Sequence, residues 1–389
     1  MGTFKSIENA YWESIDYAST KGAEEEVLAT IYIVNPKSFE MWDWRSPNDP
    51  GIGGSETMVC EVAWRLAARG HQVTVYAPIP EGPGAQHRGV LWRHVSQADY
   101  RQPGLWILVR GLELLDEFLP GHPHQHVWVV FQDVDVFPRE WQPEWEVKAD
   151  RIIGLCMAHC AYLKQAHPQA ADLVCQSRNG LRGDLVDQVL TETPPLRHPH
   201  RLMYASSPDR GLYGLLQAFK LMRFVVPDCE LHVFYGFDNL DKIERAAVRW
   251  QAGRIQKLLD QPGVVVHGRR GQPELYREWL KTGLFVHPTN FTETGFITLM
   301  EAQALGAIPM VNPIWAAAEY QLCGMQIPGD AEGDQLTLRR YAMAAIYLMQ
   351  HPELQDEIRP AMMAEARKRY DWEGVIDEYE GWLREDGLT

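Results

Sequence analysis

Residues 287–311 read HPTNFTETGFITLMEAQALGAIPMV, and this stretch decides the fold class. The apolar residues 284–286 before it predict a buried strand, which a polar loop follows. A helix is then predicted from about 295 to 305, with Gly306 as its stop. The apolar residues 308–311 predict a second strand. A strand, a helix and a strand in this order indicate an α/β domain.

Two carboxylates bracket the start of this helix. Glu293 and Glu301 are eight residues apart, so on a helix they would point to the same side, about 12 Å from each other. This separation suits two contacts on one elongated ligand better than one chemical event. The free amides of Gly295, Phe296 and Ile297 would lie between them, where a helix N-terminus attracts an anion such as a diphosphate.

The segment ETGFITLME, from Glu293 to Glu301, resembles the E-x7-E element of the glycosyltransferase family 4 enzymes, which have the two-domain GT-B fold. The resemblance implies that Glu293 lies beside the transferred sugar and that Glu301 binds the ribose of the sugar nucleotide. It also implies donor contacts at the helix start from Gly295, Phe296, Ile297 and Thr298. The alternative is an ordinary amphipathic helix with two exposed acids.

A glycine turn, Gly53-Gly54-Ser55, lies between an apolar strand predicted over 28–34 and a helix with an apolar face. Paired glycines let the backbone approach an anion closely, and Ser55 is predicted to cap the helix. The turn resembles the one that faces the acceptor and the donor phosphates across the interdomain cleft of family 4 enzymes. Tight packing of the strand against the helix would explain the glycines almost as well.

Polar residues follow two further predicted strands, 105–109 and 127–131. Arg110 comes after the first strand, and Gln132 and Asp133 come after the second. Open α/β sheets bind ligands at this edge. Family 4 members of this type often have His-Asp after the second strand, which implies a catalytic role for Asp133. Gln132 departs from that histidine, although its amide can still hydrogen-bond a hydroxyl group.

Two patterns in the sequence are candidate metal sites. Asp133 and Asp135 form an Asp-x-Asp triplet, which binds Mn²⁺ or Mg²⁺ in the other large glycosyltransferase fold, GT-A. The rest of the chain fits GT-B, so the triplet is interpreted as a loop feature. Cys156, His159 and Cys160 lack a second ligand pair at a zinc-like spacing. The sequence therefore predicts neither a metal ion nor a cofactor. His159 remains a candidate site residue, because family 4 enzymes have a histidine on the matching helix.

The proline-rich stretch 191–201 predicts a domain boundary, after which strands and helices alternate again as in a second doubly wound sheet. The turn SSPDRG at 206–211 predicts a helix start, with Ser207 as its cap and Pro208 at the first position. The predicted parts are an N-terminal extension over 1–26, two Rossmann-like domains over 27–195 and 196–370, and a C-terminal helix over 371–389. The resemblance to family 4 implies that the first domain is on the acceptor side, that the second binds the nucleotide sugar, and that the last helix packs on the first domain.

Arg210 and Arg269 both follow predicted strands on the cleft side. Two guanidinium groups and helix-terminal amides can supply the positive charge that a diphosphate leaving group needs. Family 4 usually has Arg-x4-Lys here. Arg210 stands at the lysine position and Ala205 at the arginine position, so Arg269 is the predicted substitute for the missing cation. The alternative makes both arginines ordinary surface residues.

The charge composition of the chain limits the classes of molecule that it can bind. The chain has 389 residues, 37 basic and 52 acidic side chains, and a net charge of −15. Such a surface repels nucleic acid and anionic membranes on average, so no nucleic-acid partner and at most a peripheral membrane contact are expected. The sequence has no apolar run of eighteen residues and no signal-peptide pattern. A cytoplasmic protein is therefore expected.

Taken together, these patterns predict a retaining, metal-independent glycosyltransferase. It would move a hexose-type sugar from a nucleoside diphosphate sugar to a hydroxyl of a saccharide or lipid-linked saccharide. Retention is an implication of the family, and no carboxylate is obviously placed as a base opposite the leaving group. Two alternatives remain open: a sugar-nucleotide epimerase with the GT-B fold, and a non-catalytic binding protein, which Ala205 and Gln132 suggest.

Overall fold

The computed structural model of the protein describes residues 28–38, 40–122, 124–132, 142–192, 196–236 and 246–389. The predicted N-terminal extension, Asp133 and Asp135 lie outside the described residues.

The first half of the described chain forms a mostly parallel sheet. Its eight strands have the order β3-β4-β2-β1-β5-β6-β7-β8, and within the described residues β3 alone runs antiparallel to its neighbour. The strands are β1 (Thr30–Val34), β2 (Gln72–Ala77), β3 (Ala85–His87), β4 (Val90–His94), β5 (Gly104–Val109), β6 (Gln125–Val130), β7 (Arg151–Gly154) and β8 (Val174–Gln176).

The second half forms another sheet, which is parallel throughout its described part. Its order is β11-β10-β9-β12-β13-β14. The strands are β9 (His198–Tyr204), β10 (Glu230–Phe234), β11 (Val264–Gly268), β12 (Thr282–His287), β13 (Ile308–Val311) and β14 (Met325–Gln326). Continuous apolar strands such as β12, which is buried along its whole length, require helices on both faces of the sheet.

Helices cover both sheets. In the first half they are α1 (Gly54–Ala68), α2 (Met157–Ala166) and α3 (Gly183–Thr191). In the second half they are α4 (Leu212–Val225), α5 (Ala246–Leu259), α6 (Gln272–Lys281), α7 (Ile297–Ala304), α8 (Ala316–Tyr320), α9 (Gln335–Gln350), α10 (Pro352–Tyr370) and α11 (Trp372–Glu385).

The last helix, α11, belongs to the first core although it follows the second sheet in sequence. It shares one apolar cluster with strands β1 and β2 and with α1, to which it contributes Trp372, Val375, Ile376, Tyr379 and Leu383. These side chains lie at helical spacing, so one face of α11 is buried against the first sheet. The predicted architecture of two doubly wound domains with a returning C-terminal helix is confirmed.

Two helix starts differ from the sequence prediction. The first residue of α1 is Gly54, Gly53 precedes it, and neither Ser55 nor another described side chain caps the helix. The helix predicted to begin at Pro208 begins at Leu212 instead. The hydroxyl of Ser207 hydrogen-bonds the Asp209 carboxylate within the turn, so it is not placed to cap a helix.

Candidate active site in the interdomain cleft

A cleft of about 270 Å³ lies where the carboxyl ends of the two sheets face each other. Both halves of the chain line it. From the first half come Glu40, Gly53, Gly54, Ser55, Glu56, Arg110, Gln132 and Asn179. From the second half come Ala205, Arg210, Arg269, Gln272, Glu293, Gly295, Phe296, Ile297, Thr298 and Glu301. The structure thus brings together nearly all the residues that the sequence analysis selected.

An ion pair joins Arg210, in the turn after β9, to Glu293, in the loop after β12. One guanidinium nitrogen, Nη1, lies 3.1 Å from each carboxylate oxygen, and the guanidinium carbon lies 4.1 Å from the centre of the Phe291 ring. Burial lowers the pKa of Arg210, but the carboxylates of Glu293 and Asp209 outweigh burial and raise it above its usual value. Arg210 is therefore a fixed positive charge in the cleft, and its side chain is still 35% exposed.

The second carboxylate of the E-x7-E pair has a different environment. Glu301 is buried on α7, and the side-chain amide of Gln272 donates to its Oε1 at 3.0 Å. Burial raises the pKa of Glu301 to about 7, although hydrogen bonds from Gln272 and Tyr276 oppose the shift. Glu301 can therefore be protonated near neutral pH.

The N-termini of two helices meet in the cleft. α1 begins at Gly54 and α7 begins at Ile297, and a Cβ added to Gly54 would lie only 3.2 Å from Ile297 Cδ1. No described side chain caps either helix. Because unpaired amides and the helix dipole both favour negative charge, this junction is suited to an anion. Glycine at position 54 keeps the two helix ends in contact.

The rest of the α7 start is fixed by contacts from other elements. Gly295 has no room for a side chain, because a Cβ there would overlap the Asn179 amide, which donates to the Gly295 carbonyl at 3.3 Å. The hydroxyl of Thr298 donates to the carbonyl of Ala205 at 3.4 Å. These contacts link the α7 start to both halves of the cleft.

Gln132 is buried at the end of β6 and is held from two sides. Its side-chain amide exchanges hydrogen bonds with that of Asn179, at 3.1 and 3.3 Å, and its carbonyl accepts from the Thr294 hydroxyl at 2.6 Å. Gln132 therefore connects the two domains across the cleft. Asp133, its neighbour in sequence, lies outside the described residues.

The structure also brings two carboxylates into the cleft that the sequence analysis did not select. Glu40 receives two hydrogen bonds from Arg269, at 2.7 and 2.9 Å, so the predicted substitute cation is already paired. Glu56 lies in the first turn of α1, 3.5 Å from Arg110, which has a positive φ of 60°. Burial raises the pKa of Glu56, and Arg110 opposes that shift. Glu40 and Glu56 therefore line the cleft in addition to Glu293 and Glu301.

His159 does not line the cleft. It is fully buried on α2, where its Nδ1 accepts from the Leu155 amide at 3.2 Å, and burial lowers its pKa to about 4. Its position indicates a packing role. Among the described residues no three histidine, cysteine or acidic side chains are grouped as metal ligands. No helix in the described parts of the chain is both long and apolar enough to span a membrane.

Comparisons with known proteins give matches among solved structures alone. No protein-family model matches the chain, and no curated protein sequence does. Sucrose-phosphate synthase from Thermosynechococcus elongatus superposes with a TM-score of 0.64 at 14% identity, over 92% of this chain and 98% of that one. A UDP-forming α,α-trehalose-phosphate synthase from Burkholderia xenovorans gives 0.63 at 11% identity, with the same coverage.

The Anabaena protein HepE, solved in complex with UDP and glucose, gives a TM-score of 0.61 at 14% identity, over 92% of this chain and 100% of that one. At such low identity the agreement concerns the arrangement of the backbone, and it extends over almost the whole of each chain. The two parallel, Rossmann-like sheets of this chain superpose on GT-B glycosyltransferase structures. The chain therefore has the GT-B fold.

Proposed function

We propose that this protein is a glycosyltransferase that takes a sugar from a nucleoside diphosphate donor and transfers it to a hydroxyl of a saccharide or lipid-linked saccharide. The observation that carries the proposal is the meeting of the α1 and α7 N-termini in the cleft that also holds Arg210. This arrangement offers helix amides and a fixed cation to a diphosphate. HepE was solved in complex with UDP, and the similar trehalose-phosphate synthase is UDP-forming, which supports a nucleotide as the ligand.

The donor would lie along the E-x7-E element. Its diphosphate would contact Arg210 and the amides of Gly295, Phe296 and Ile297, and its ribose would reach Glu301, which Gln272 holds in place. The sugar would then lie near Glu293. Because Arg210 and two helix ends already provide positive charge, the proposed reaction requires no metal ion.

We propose that the reaction retains the configuration of the sugar. The cleft carboxylates are engaged: Glu293 with Arg210, Glu40 with Arg269, and Glu56 with Arg110. A departing phosphate oxygen could instead accept the acceptor proton on the same face, as the bond between the anomeric carbon and the leaving oxygen breaks and the bond to the acceptor oxygen forms. Asp133 remains a catalytic candidate from its sequence alone.

One feature favours a second candidate, a nucleotide-binding protein without turnover. Ala205 lines the cleft where the resemblance to family 4 places an arginine. The protein would then bind a nucleotide sugar but not break it. Conversion of the donor with and without candidate acceptors distinguishes the two functions.

The test begins with thermal unfolding in EDTA against UDP, GDP, ADP, dTDP and their sugar conjugates, repeated with Mn²⁺. A ligand at about 100 times its Kd adds roughly 2.7 kcal/mol to stability. We expect one nucleotide to raise the melting temperature in EDTA, and Glu301→Ala to remove the shift. Glu357→Ala, an exposed glutamate on α10, is the matched control. No shift with any nucleotide, or a shift that needs metal and persists in Glu301→Ala, would contradict the proposal.

A further inference from the structure

Helices α4 and α9 form a locally basic surface on an acidic protein. α4 has 14 residues and α9 has 16, and neither contains an aspartate or a glutamate. At the average acidic content of the whole chain, 30 residues would contain about four acidic side chains. They carry Lys220, Arg223, Arg339 and Arg340. Lys220, Arg339 and Arg340 are exposed, and no described carboxylate pairs with any of the three. Their charge is therefore not neutralised within the described protein.

The same face of α9 exposes large apolar side chains. Leu336, Met343 and Tyr347 are 59%, 57% and 49% exposed. With Arg340 they occupy positions i, i+4, i+7 and i+11, which form one row about 17 Å long on a helix. A surface helix normally turns its polar residues outward, so an outward row of apolar side chains indicates a contact with something outside the chain.

Helix α4 extends this surface. The two helices run side by side in the same direction. The side chain of Gln335, the first residue of α9, meets that of Gln217 in the first half of α4, and His200 bridges Asp228, just past the end of α4, and the Met349 carbonyl near the end of α9. On α4 the row that begins at Gln217 continues through Leu221 to Phe224, at helical spacing. Phe224 is 83% exposed, so the apolar surface continues from α9 onto α4.

We propose that this α4–α9 face, formed by Lys220, Phe224, Leu336, Arg339, Arg340, Met343 and Tyr347, binds an anionic lipid surface. The apolar side chains would enter the boundary between headgroups and acyl chains, while the three cations contact the headgroups. A second copy of the chain is a poorer partner, because a symmetric contact would place this basic face against itself. The inference does not depend on the proposed enzymatic activity.

The overall charge of −15 limits the strength of this binding. A protein with this charge is repelled from an anionic membrane on average, so the attraction has to come from the local face. Three exposed cations near a surface are screened within about 8 Å at physiological ionic strength. The association is therefore weak, reversible and lost in high salt.

Co-sedimentation with vesicles tests the proposal. The full chain is mixed with vesicles of phosphatidylcholine alone, or of phosphatidylcholine with about 30% phosphatidylglycerol, the anionic fraction being chosen to give a clearly negative surface potential. We expect at least a fivefold larger bound fraction on the anionic vesicles, lost in 0.5 M salt at roughly a 4 Å screening length. Leu336→Glu combined with Met343→Glu, and Arg339→Gln combined with Arg340→Gln, should each abolish binding.

The matched control is Leu119→Glu combined with Met157→Glu, which places the same changes at exposed positions of the first half of the chain. It should bind anionic vesicles like the unchanged protein. Unchanged melting temperatures show that the variants are folded. Equal binding to both vesicle types, no binding to either, or α9 variants that bind like the control would overturn the proposal. A dimer that the Leu336→Glu and Met343→Glu changes dissociate would assign the face to a second copy instead.

Discussion

Three carboxylates in the cleft are each held by a different neighbour: Glu293 by Arg210, Glu40 by Arg269, and Glu301 by Gln272. The first pair lies within the second domain, the second crosses between domains, and Glu301 is buried against a neutral amide. Because the partners differ, substitutions of these three glutamates are expected to have three different effects.

Glu301 should make the stability of the protein depend on pH. Burial raises its folded pKa to about 7 from the ordinary value of 4.5, so the folded state holds an extra proton between these values. The contribution of Glu301 to the free energy of unfolding is therefore fully present below pH 4.5. It is lost as the pH rises through 7, which lowers the free energy of unfolding by about 3 kcal/mol. Between pH 5 and pH 8 the melting temperature of the unchanged protein should therefore fall relative to that of Glu301→Gln. Parallel pH profiles would contradict the prediction.

Glu293→Gln should separate chemistry from binding. The change keeps the shape of the side chain but removes the negative charge opposite Arg210. We expect turnover of the donor to fall about 10²-fold or more, as when a transition-state contact is lost, while nucleotide affinity is kept or raised by up to about fivefold because Arg210 loses its paired charge. Rates of nucleoside diphosphate release and calorimetric Kd values measure the two effects. An equal loss in both would place Glu293 in nucleotide binding.

Glu40→Gln should strengthen nucleotide binding. The Glu40 carboxylate accepts two hydrogen bonds from the guanidinium of Arg269, the second cation that the sequence predicts for the donor phosphates. Removing its charge frees Arg269, and an ion pair of about 1 kcal/mol corresponds to roughly fivefold tighter binding. Calorimetry with the stabilising nucleoside diphosphate measures the change. Glu113→Gln, which breaks the exposed pair with Lys37, is the control and should have no effect. Weaker binding would mean that Glu40 itself contacts the ligand.

Among the elements, the segment 40–53 after β1 makes a close contact with the second domain. It lies against the turn between β11 and α6, where the backbone N–H of Gln272 donates to the Pro47 carbonyl at 2.9 Å. A Cβ on Gly271 would overlap the Asn48 carbonyl oxygen. This segment also carries Glu40, so its position decides whether Arg269 is paired.

Gly271→Ala should move this segment away from the turn. Gly271 has a φ of −72°, which alanine accepts, so the expected cost of about 1–3 kcal/mol comes from the overlap with Asn48 alone. We expect a lower melting temperature and weaker nucleotide binding. Gly253→Ala in α5 is the matched control: it meets open space and should stabilise the helix by about 0.5–1 kcal/mol. Equal effects of the two substitutions would contradict the prediction.

At the scale of the whole molecule, α11 ties the end of the chain to the first sheet. Its apolar face completes the first core, and Arg151 on β7 pairs with Asp386 at 2.6 Å while Arg65 on α1 pairs with Glu373 at 2.8 Å. The chain therefore crosses between the domains twice, once before β9 and once before α11. If the two domains move apart and open the cleft, the backbone has to bend at these two segments, before β9 and before α11.

Trp372→Ala should destabilise the first domain. The indole is fully buried in the core that α11 shares with β1 and α1, and removing a buried aromatic side chain costs about 3–5 kcal/mol. Urea unfolding followed by tryptophan fluorescence and by circular dichroism measures the loss. Phe224→Ala, which removes an aromatic side chain that is 83% exposed on α4, should change stability by less than about 0.5 kcal/mol. A loss of below 1 kcal/mol in Trp372→Ala would mean that α11 is not part of the first core.

The sequence by itself determined the two doubly wound sheets and the amphipathic last helix, whose return to the first domain was implied by the resemblance to family 4 enzymes. Continuous apolar strands such as β12, glycine turns such as Gly53-Gly54, and the apolar face of α11 are local patterns, and a local pattern fixes the type of each element. Because the carboxyl ends of parallel strands share one edge, the sequence also predicted that Arg210 and Glu293 lie at the ligand-binding edge of the second sheet and Gln132 at that of the first.

Only the tertiary structure decided what each of these residues contacts. Arg269 and Glu40 are 229 residues apart in sequence, and Gln272 reaches Glu301 across 29 residues. No spacing rule links such pairs, since they depend on how two domains dock. The sequence also does not reveal the burial that raises the pKa of Glu301 or the exposure of the apolar side chains on α9, because burial depends on how the chain packs. The sequence thus determined which elements form, and the packing between them decided which charges are paired.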